Sequence, residues 1–176
     1  VKGPHKWDKY WEIFEKAVEV FGKERVGCHL IVGLGETEEQ MVRTIQRVRD
    51  LAGSTHLFSF FPEAGSELER HEQPPVGQYR RVQLARYLID EDISGFERIR
   101  FDSSGRIVDF GIDGKHLDTA IDSGIPFMTS GCPGEDGSVV CNRPYGDSLP
   151  GPDIRSFPFQ PSEEDLKKIR SEIWQF

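Results

Sequence analysis

The chain has 176 residues, 36% of them hydrophobic and 30% charged, which is enough apolar material for one domain with a real core and an ordinary balance for a globular protein. A net charge of −8 argues against a nucleic-acid backbone as the main partner, because that surface favours a basic patch and none is visible. The longest apolar run falls far short of a membrane span, and no charged-then-apolar segment opens the chain. The default expectation is therefore a cytoplasmic protein that acts without membrane or nucleic acid.

In chain order, Trp7, Tyr10, Trp11, Phe14, Ala17, Val18 and Phe21 recur at spacings of three and four, which predicts an amphipathic helix ending at Gly22. Its broad apolar face calls for a sheet to cover, and the aromatic residues on it read as packing surface. Starting this abruptly, with Val1 in place of Met, the chain reads as part of something longer. A strand is expected over Arg25 to Val32. Leu30, Ile31 and Val32 are apolar and partly β-branched, as in a strand buried on both faces. The strand breaks at Gly33 and Gly35, where the missing Cβ lets a ligand approach the backbone. Glu36 follows, and Thr37 with Gln40 forms a capping-box pair that starts a helix over Glu38 to Leu51, with Met41, Ile45 and Val48 on one side. Ligands of α/β folds collect at the carboxyl ends of strands, so Glu36 is placed to meet one. The alternative is a carboxylate favoured only by the helix macrodipole.

The pattern then repeats. A strand over Thr55 to Phe61 leads into the turn Pro62-Glu63-Ala64-Gly65-Ser66, and after Pro74-Pro75 comes a long helix carrying Leu84, Tyr87 and Leu88. Strands are expected at Ile99 to Asp102 and, more briefly, at Ile107 to Phe110, around Ser103-Ser104-Gly105. A helix over Leu117 to Ser123 and a strand at Ile125 to Met128 follow. No Asn-Gly hairpin signal joins neighbouring strands, so the alternation argues for a parallel sheet with helical crossovers. The fold class is α/β: half of a TIM-type (β/α) barrel, with residues 1–130 as its βα units. Residues 131–176 form a cysteine-containing wrap and a final helix over Glu163 to Trp174, capped by Ser162, with Leu166, Ile169, Ile173 and Trp174 on one side. A half-barrel leaves unpaired edges, which calls for another segment or subunit to close it.

Weaker constellations frame the site. Gly33-x-Gly35 lacks the third glycine of a dinucleotide fingerprint, since Glu38 stands there. His5, His29, His56, His71 and His116 show no zinc spacing, and no serine sits in a nucleophile elbow. Cys132 and Cys141 flank the loop Pro133-Gly134-Glu135-Asp136-Gly137, which can bend two thiolates toward one centre. An iron-sulfur cluster, a structural zinc, a disulfide and free thiols all remain open for this pair. On the wrap, Arg143, Tyr145 and Arg155 are candidates to meet a carboxylate-bearing substrate, against a role as solvated turn residues.

The residues Leu30 to Thr37, the run Phe58-Ser59-Phe60-Phe61-Pro62-Glu63-Ala64-Gly65-Ser66, the tail Thr129-Ser130-Gly131-Cys132-Pro133 and Cys141-Asn142-Arg143-Pro144 together resemble the C-terminal half of a biotin-synthase-like radical S-adenosylmethionine (AdoMet) enzyme. Within that group they are most similar to the two-component lipoyl synthases. The resemblance implies a βα barrel with AdoMet across the carboxyl ends of its strands, a partner that supplies the N-terminal barrel half (upstream in the same chain or a separate subunit), a lipoyl-carrier protein as a further partner, and sulfur insertion into an octanoyl group. In the family pattern Gly-x-Ile-x-Gly-x-x-Glu this chain supplies Ile31, Gly33 and Glu36, with His29 in place of the first glycine. Ile31 is then expected against the adenine, and Phe60 to Glu63 near the adenosyl group, so the implied cofactor contacts are Ile31, Gly33, Glu36, Phe60 and Glu63. Cys132 and Cys141 are the implied ligands of an auxiliary sulfur-donating iron-sulfur cluster. Cys28 is a third candidate, displaced by one residue from the family's ligand, and Arg100 a fourth that matches an unusual arginine ligand; the alternatives are a buried inert thiol and a surface salt bridge. The family's Cys-x-x-x-Cys-x-x-Cys motif is absent from these residues. The chain alone is therefore not a self-sufficient radical enzyme, and the other readings are an accessory subunit that completes a partner's barrel or a radical rearrangement without an auxiliary cluster.

Overall fold

The computed structural model describes residues 6–133, 139–141 and 153–175. The elements run α1 (Trp7–Phe21), β1 (Gly27–Val32), α2 (Glu38–Asp50), β2 (Ser54–Ser59), α3 (Val76–Asp90), β3 (Arg100–Phe101), β4 (Ile107–Asp109), α4 (Gly114–Asp122), a single 3-10 turn (Ile125–Phe127), β5 (Cys132–Pro133), β6 (Val139–Cys141) and α5 (Glu163–Ile173). The result is a mixed α/β fold whose parallel sheet, among the described residues, is the pair β1–β2; no closed barrel is formed there.

β1 and β2 run parallel in continuous register from Gly27 opposite Ser54 to Val32 opposite Ser59, joined through α2. The ladder continues as Phe60 N–H donates to the Val32 carbonyl at 2.8 Å. Side chains alternate faces along a strand, so Cys28, Leu30 and Val32 share one side and His29 and Ile31 the other. Leu30, Val32 and Leu57 belong to the hydrophobic core, and α2 and α3 pack on β2. Val32 is fully buried while Ile31 remains 45% exposed. One face of the ladder is thus covered by helices and the other is open.

α3 is the central element. Every residue from Tyr79 to Ala85 is buried, including Arg80, Arg81 and Gln83. It packs against α2 through the core shared with Met41, Val42 and Ile45, and against α5 through Ile169 and Ile173. Its two consecutive arginines are satisfied on different sides. Arg81 forks onto Glu38 at the start of α2 and donates to the Ile173 carbonyl at 2.6 Å. Arg80 pairs with Glu172 at 2.9 Å and donates to the Ile154 and Arg155 carbonyls. Buried charges persist only when so completely partnered. The Tyr79 hydroxyl donates to the Leu57 carbonyl at 3.2 Å, tying α3 to β2.

Three expectations are corrected. Ile99 to Phe110 does not add parallel strands: β3 and β4 form an antiparallel hairpin. Its turn is built by Asp102, whose carboxylate accepts the Ser104 and Arg106 N–H groups, and by Gly105 at φ +79°. This turn hydrogen-bonds through an aspartate side chain, which the Asn-Gly rule does not detect. The strand expected at Ile125 to Met128 is a 3-10 turn, because Pro126 lacks a donor and Gly124 turns the chain at φ +70°; Met128 alone bridges to Phe157. Lastly, among the described residues no sheet covers α1, which has no buried residue. Phe14 packs on Gly53, where a Cβ would lie 2.3 Å from the ring, and the Arg47 guanidinium sits 3.9 Å over Trp11. Trp7, Tyr10, Ile13, Val20 and Phe21 stay exposed. No helix among the described residues is long and apolar enough to cross a membrane.

Candidate functional site

The carboxyl end of β1 is shaped by two glycines that the backbone requires for different reasons. Gly33 and Gly35 have φ of +106° and +109°, a region L side chains avoid. At Gly33 a Cβ would also lie 2.6 Å from the Pro74 ring, whereas at Gly35 it would meet nothing within 4 Å. The turn they make is closed by Glu36, which accepts the Gly33 N–H at 2.7 Å and the Leu34 N–H at 2.9 Å. Both carboxylate oxygens are thereby engaged with the loop itself. The Gly33 carbonyl meets His71 Nε2 at 2.8 Å, and the His71 ring stands edge-on to Phe60 at 5.1 Å.

The capping box of α2 is present, with Thr37 Oγ accepting the Gln40 N–H and Gln40 returning the bond to Thr37 N–H. The start of α2 is occupied by the β3–β4 turn: Glu39 N–H donates to the Gly105 carbonyl, and Ile107 N–H donates to Glu38. A cleft of about 280 Å³ opens beside this junction, lined by Glu36, Thr37, Gln78, Arg106 and Gln175 among others. Most of its lining residues are polar or charged types, and it lies where the strand-end argument places a ligand.

The open face of the β1–β2 ladder carries His29 and Ile31 beside His56 and Phe58, their partners in register. The His29 and His56 rings stand edge to face with centroids 5.4 Å apart, and His29 lies 5.3 Å from Phe58. His56 Nδ1 is 2.7 Å from Ser130 Oγ. Gly27 makes room for this imidazole, since a Cβ there would lie 2.9 Å from Nε2. Burial holds His56 below the ordinary imidazole pKa, with the charges of His29 and Arg86 acting in the same direction.

The expected site residues divide accordingly. Ile31 lies on the open face, and Gly33 and Glu36 form the loop at the end of β1. Phe60 is buried against His71, and Glu63 sits in an exposed turn where its carbonyl accepts from Ser66. Cys28 shares the covered face with Leu30 and Val32, and burial raises its thiol pKa. Arg100 stands in the separate β3–β4 hairpin, 76% exposed and 3.1 Å from Asp109. Cys132 and Cys141 are direct partners across the antiparallel β5–β6 ladder. Arg155 is corrected from a candidate substrate contact to a buried strut, paired with Asp153 at 3.0 Å and donating to the Pro74 carbonyl at 2.8 Å. Arg143 and Tyr145 lie outside the described residues. The two histidines of the open face were passed over in sequence because spacing along the chain carries no trace of a pairing between parallel strands; the alternation of the two strands, once aligned, was the available signal. No family model, curated protein or solved structure was found to match the chain.

Proposed function

We propose that this chain is the C-terminal part of a biotin-synthase-like radical AdoMet iron-sulfur enzyme that inserts sulfur into an octanoyl group, working in the cytoplasm with an N-terminal barrel half and a lipoyl-carrier protein. The observation that carries the reading is the parallel β1–α2–β2 unit, with helices on one face, Ile31 exposed on the other, and the Gly33 to Glu36 loop at its carboxyl end. A half-barrel has this layering, its open side being the interior of the completed barrel.

The residues present fit the groups. Gly33 and Gly35 leave a backbone free of Cβ at the mouth, Ile31 offers apolar surface for an adenine, and the backbones of Cys132 and Cys141 are register partners. When bound, AdoMet and its reducing cluster supply hydrogen abstraction from an unactivated carbon, and the auxiliary cluster supplies sulfur. This chain's own residues bind and orient. Ile31 and Phe58 keep the open face apolar and exclude water, while Glu36 positions the Gly33–Gly35 backbone by holding its amides. The cluster that cleaves AdoMet needs cysteines this sequence lacks, which is why the partner half belongs to the proposal.

Anaerobic reconstitution with iron and sulfide, together with the N-terminal half, tests it. AdoMet-dependent release of 5′-deoxyadenosine and sulfur transfer to an octanoyl acceptor are expected, with Cys132→Ser retaining the first and losing the second. Release of 5′-deoxyadenosine by the partner alone, unchanged when this chain is omitted, would favour an accessory subunit.

A further inference from the structure

The open face of the β1–β2 ladder is polar at one end and apolar at the other. From the amino to the carboxyl ends of the two strands it presents Gly27 beside Ser54, His29 beside His56, and Ile31 beside Phe58. Gly27, His29 and Ile31 are all exposed, and Leu34 and Phe61 stay exposed just beyond the strand ends. The imidazoles leave hydrogen-bonding capacity unused. His56 Nδ1 is engaged by Ser130 Oγ at 2.7 Å, whereas Nε2 lies over Gly27, which has no side chain to screen it, and meets no partner among the described residues. Neither ring nitrogen of His29 is hydrogen-bonded among those residues; its contacts are the rings of His56 and Phe58.

The surroundings of the pair favour an anion. Burial disfavours a cation at His56, and the charges of His29 on β1 and Arg86 on α3 act in the same direction. Arg86 is itself held by Asp90 at 2.9 Å. A negative group beside the rings is attracted by the same charges that oppose protonation of His56, and its presence makes that protonation favourable. Charge complementarity thus selects an acidic head, and the apolar end of the same face selects a hydrocarbon tail. The four residues from Gly27 to Ile31 rise about 13 Å along the strand, a length that an extended medium-chain acyl group covers.

We propose that this face binds a medium-chain carboxylate, its acid group held by His29 and His56 and its tail laid along Phe58 to Ile31, with Ser130 as a positioning residue for His56. The inference rests on the proposed function in one respect: the far carbons end beside Ile31, where an adenine is placed, and are the ones offered for hydrogen abstraction. It goes beyond that function in assigning recognition of a free acid, which an octanoyl group in ester or amide linkage lacks, so free octanoate competes with a carried chain for the same face.

The test titrates the purified chain calorimetrically with sodium octanoate, octanamide and acetate, at about pH 6 and about pH 8. Octanoate is expected to bind at the lower pH at least about tenfold more tightly than octanamide, which lacks the charge, or acetate, which lacks the tail. Its affinity is expected to fall at least about fivefold at the higher pH as the imidazoles lose their protons, with that of octanamide unchanged. Imidazole chemical shifts of the unsubstituted protein should show His56 gaining a proton when octanoate binds, a readout that needs no variant to fold. The His29→Gln, His56→Gln double variant is expected to bind octanoate and octanamide alike, and Ile31→Asn to weaken both while keeping the pH dependence. Ser130→Ala is expected to weaken octanoate and leave octanamide unchanged. Equal binding of octanoate and octanamide at both pH values would overturn the acid-binding assignment and leave only an apolar acyl face. Binding of neither would overturn the site. Release of 5′-deoxyadenosine with the N-terminal half reads the proposed function separately, so failure of the one is distinguishable from failure of the other.

Discussion

The Glu36 carboxylate and the Gly33 amide are joined at 2.7 Å across a three-residue turn, with the Leu34 amide on the second oxygen at 2.9 Å. The acid that ends the glycine motif is thus part of the loop's own hydrogen bonding. Hydrogen bonds to a charged acceptor contribute about 1.5–3 kcal/mol each in favourable settings, less where solvent competes. Glu36→Ala is expected to destabilise the protein by about 1–2 kcal/mol and to speed amide exchange at Gly33 and Leu34 ahead of the rest of β1. Exchange that rises uniformly along the strand would argue against a local role.

Gly33 and Gly35 allow strain and overlap to be separated. Both have strongly positive φ, but only Gly33 lies against Pro74. Gly35→Ala should carry the backbone penalty alone, about 1–3 kcal/mol. Gly33→Ala adds an overlap with the proline ring and should cost at least about 1 kcal/mol more, as expected for overpacking. Urea denaturation of the two variants reads the difference, and equal costs would mean that Pro74 yields freely.

Glu38 and Arg81 form a nearly solvent-free pair, 5% and 4% exposed, and Glu38 also accepts the Ile107 amide. Removing one partner strands a buried charge, so Arg81→Met should cost about 3–5 kcal/mol. The double change Glu38→Leu with Arg81→Met should recover much of that loss, because the remaining charge is gone as well. A double variant no more stable than the single one would show that the contacts to Ile107 and Ile173, and not the pairing of charges, set the cost.

The β3–β4 turn is acid-sensitive. Asp102 accepts hydrogen bonds from Ser104 and Arg106, which hold its carboxyl well below the usual 3.8. A carboxylate with a depressed folded-state pKa binds fewer protons folded than unfolded, so its contribution is fully present above about pH 3.8 and fades as the pH falls through the folded value. Chemical-shift titration of the Ser104 and Arg106 amides should follow that acid transition, and Asp102→Asn should abolish it. A midpoint at or above 3.8 would contradict the geometry.

The local signals readable in sequence were those that hydrogen-bond or pack within a few residues. Thr37 with Gln40 and Ser162 with Asp165 cap α2 and α5 reciprocally, and the glycine break after β1 falls at Gly33. The pairing of β1 with β2 followed from strand–helix–strand alternation. The hairpin was missed because Asp102 makes its turn through a side chain, and the 3-10 turn because Ile125 and Phe127 are apolar enough to pass for strand on either side of Pro126. Which face of β1 is open depends on α2 and α3 covering Leu30 and Val32, a long-range outcome that leaves His29 beside His56. Arg80, Arg81 and Arg155 could not be recognised as buried, since nothing near them in the chain announces the distant carboxylates and carbonyls they meet.

Adjacent residues on a helix project about 100° apart, so Arg80 and Arg81 reach in divergent directions from one point on α3. One gathers Ile154, Arg155 and Glu172, and the other Glu38 and Ile173. Through these two side chains the beginning of α2 and the far end of the sequence are fastened to a single turn of helix. Tilting that turn would loosen both fastenings together, so the C-terminal helix cannot peel away while the middle of the chain stays intact, and the two are bound to melt as one cooperative unit.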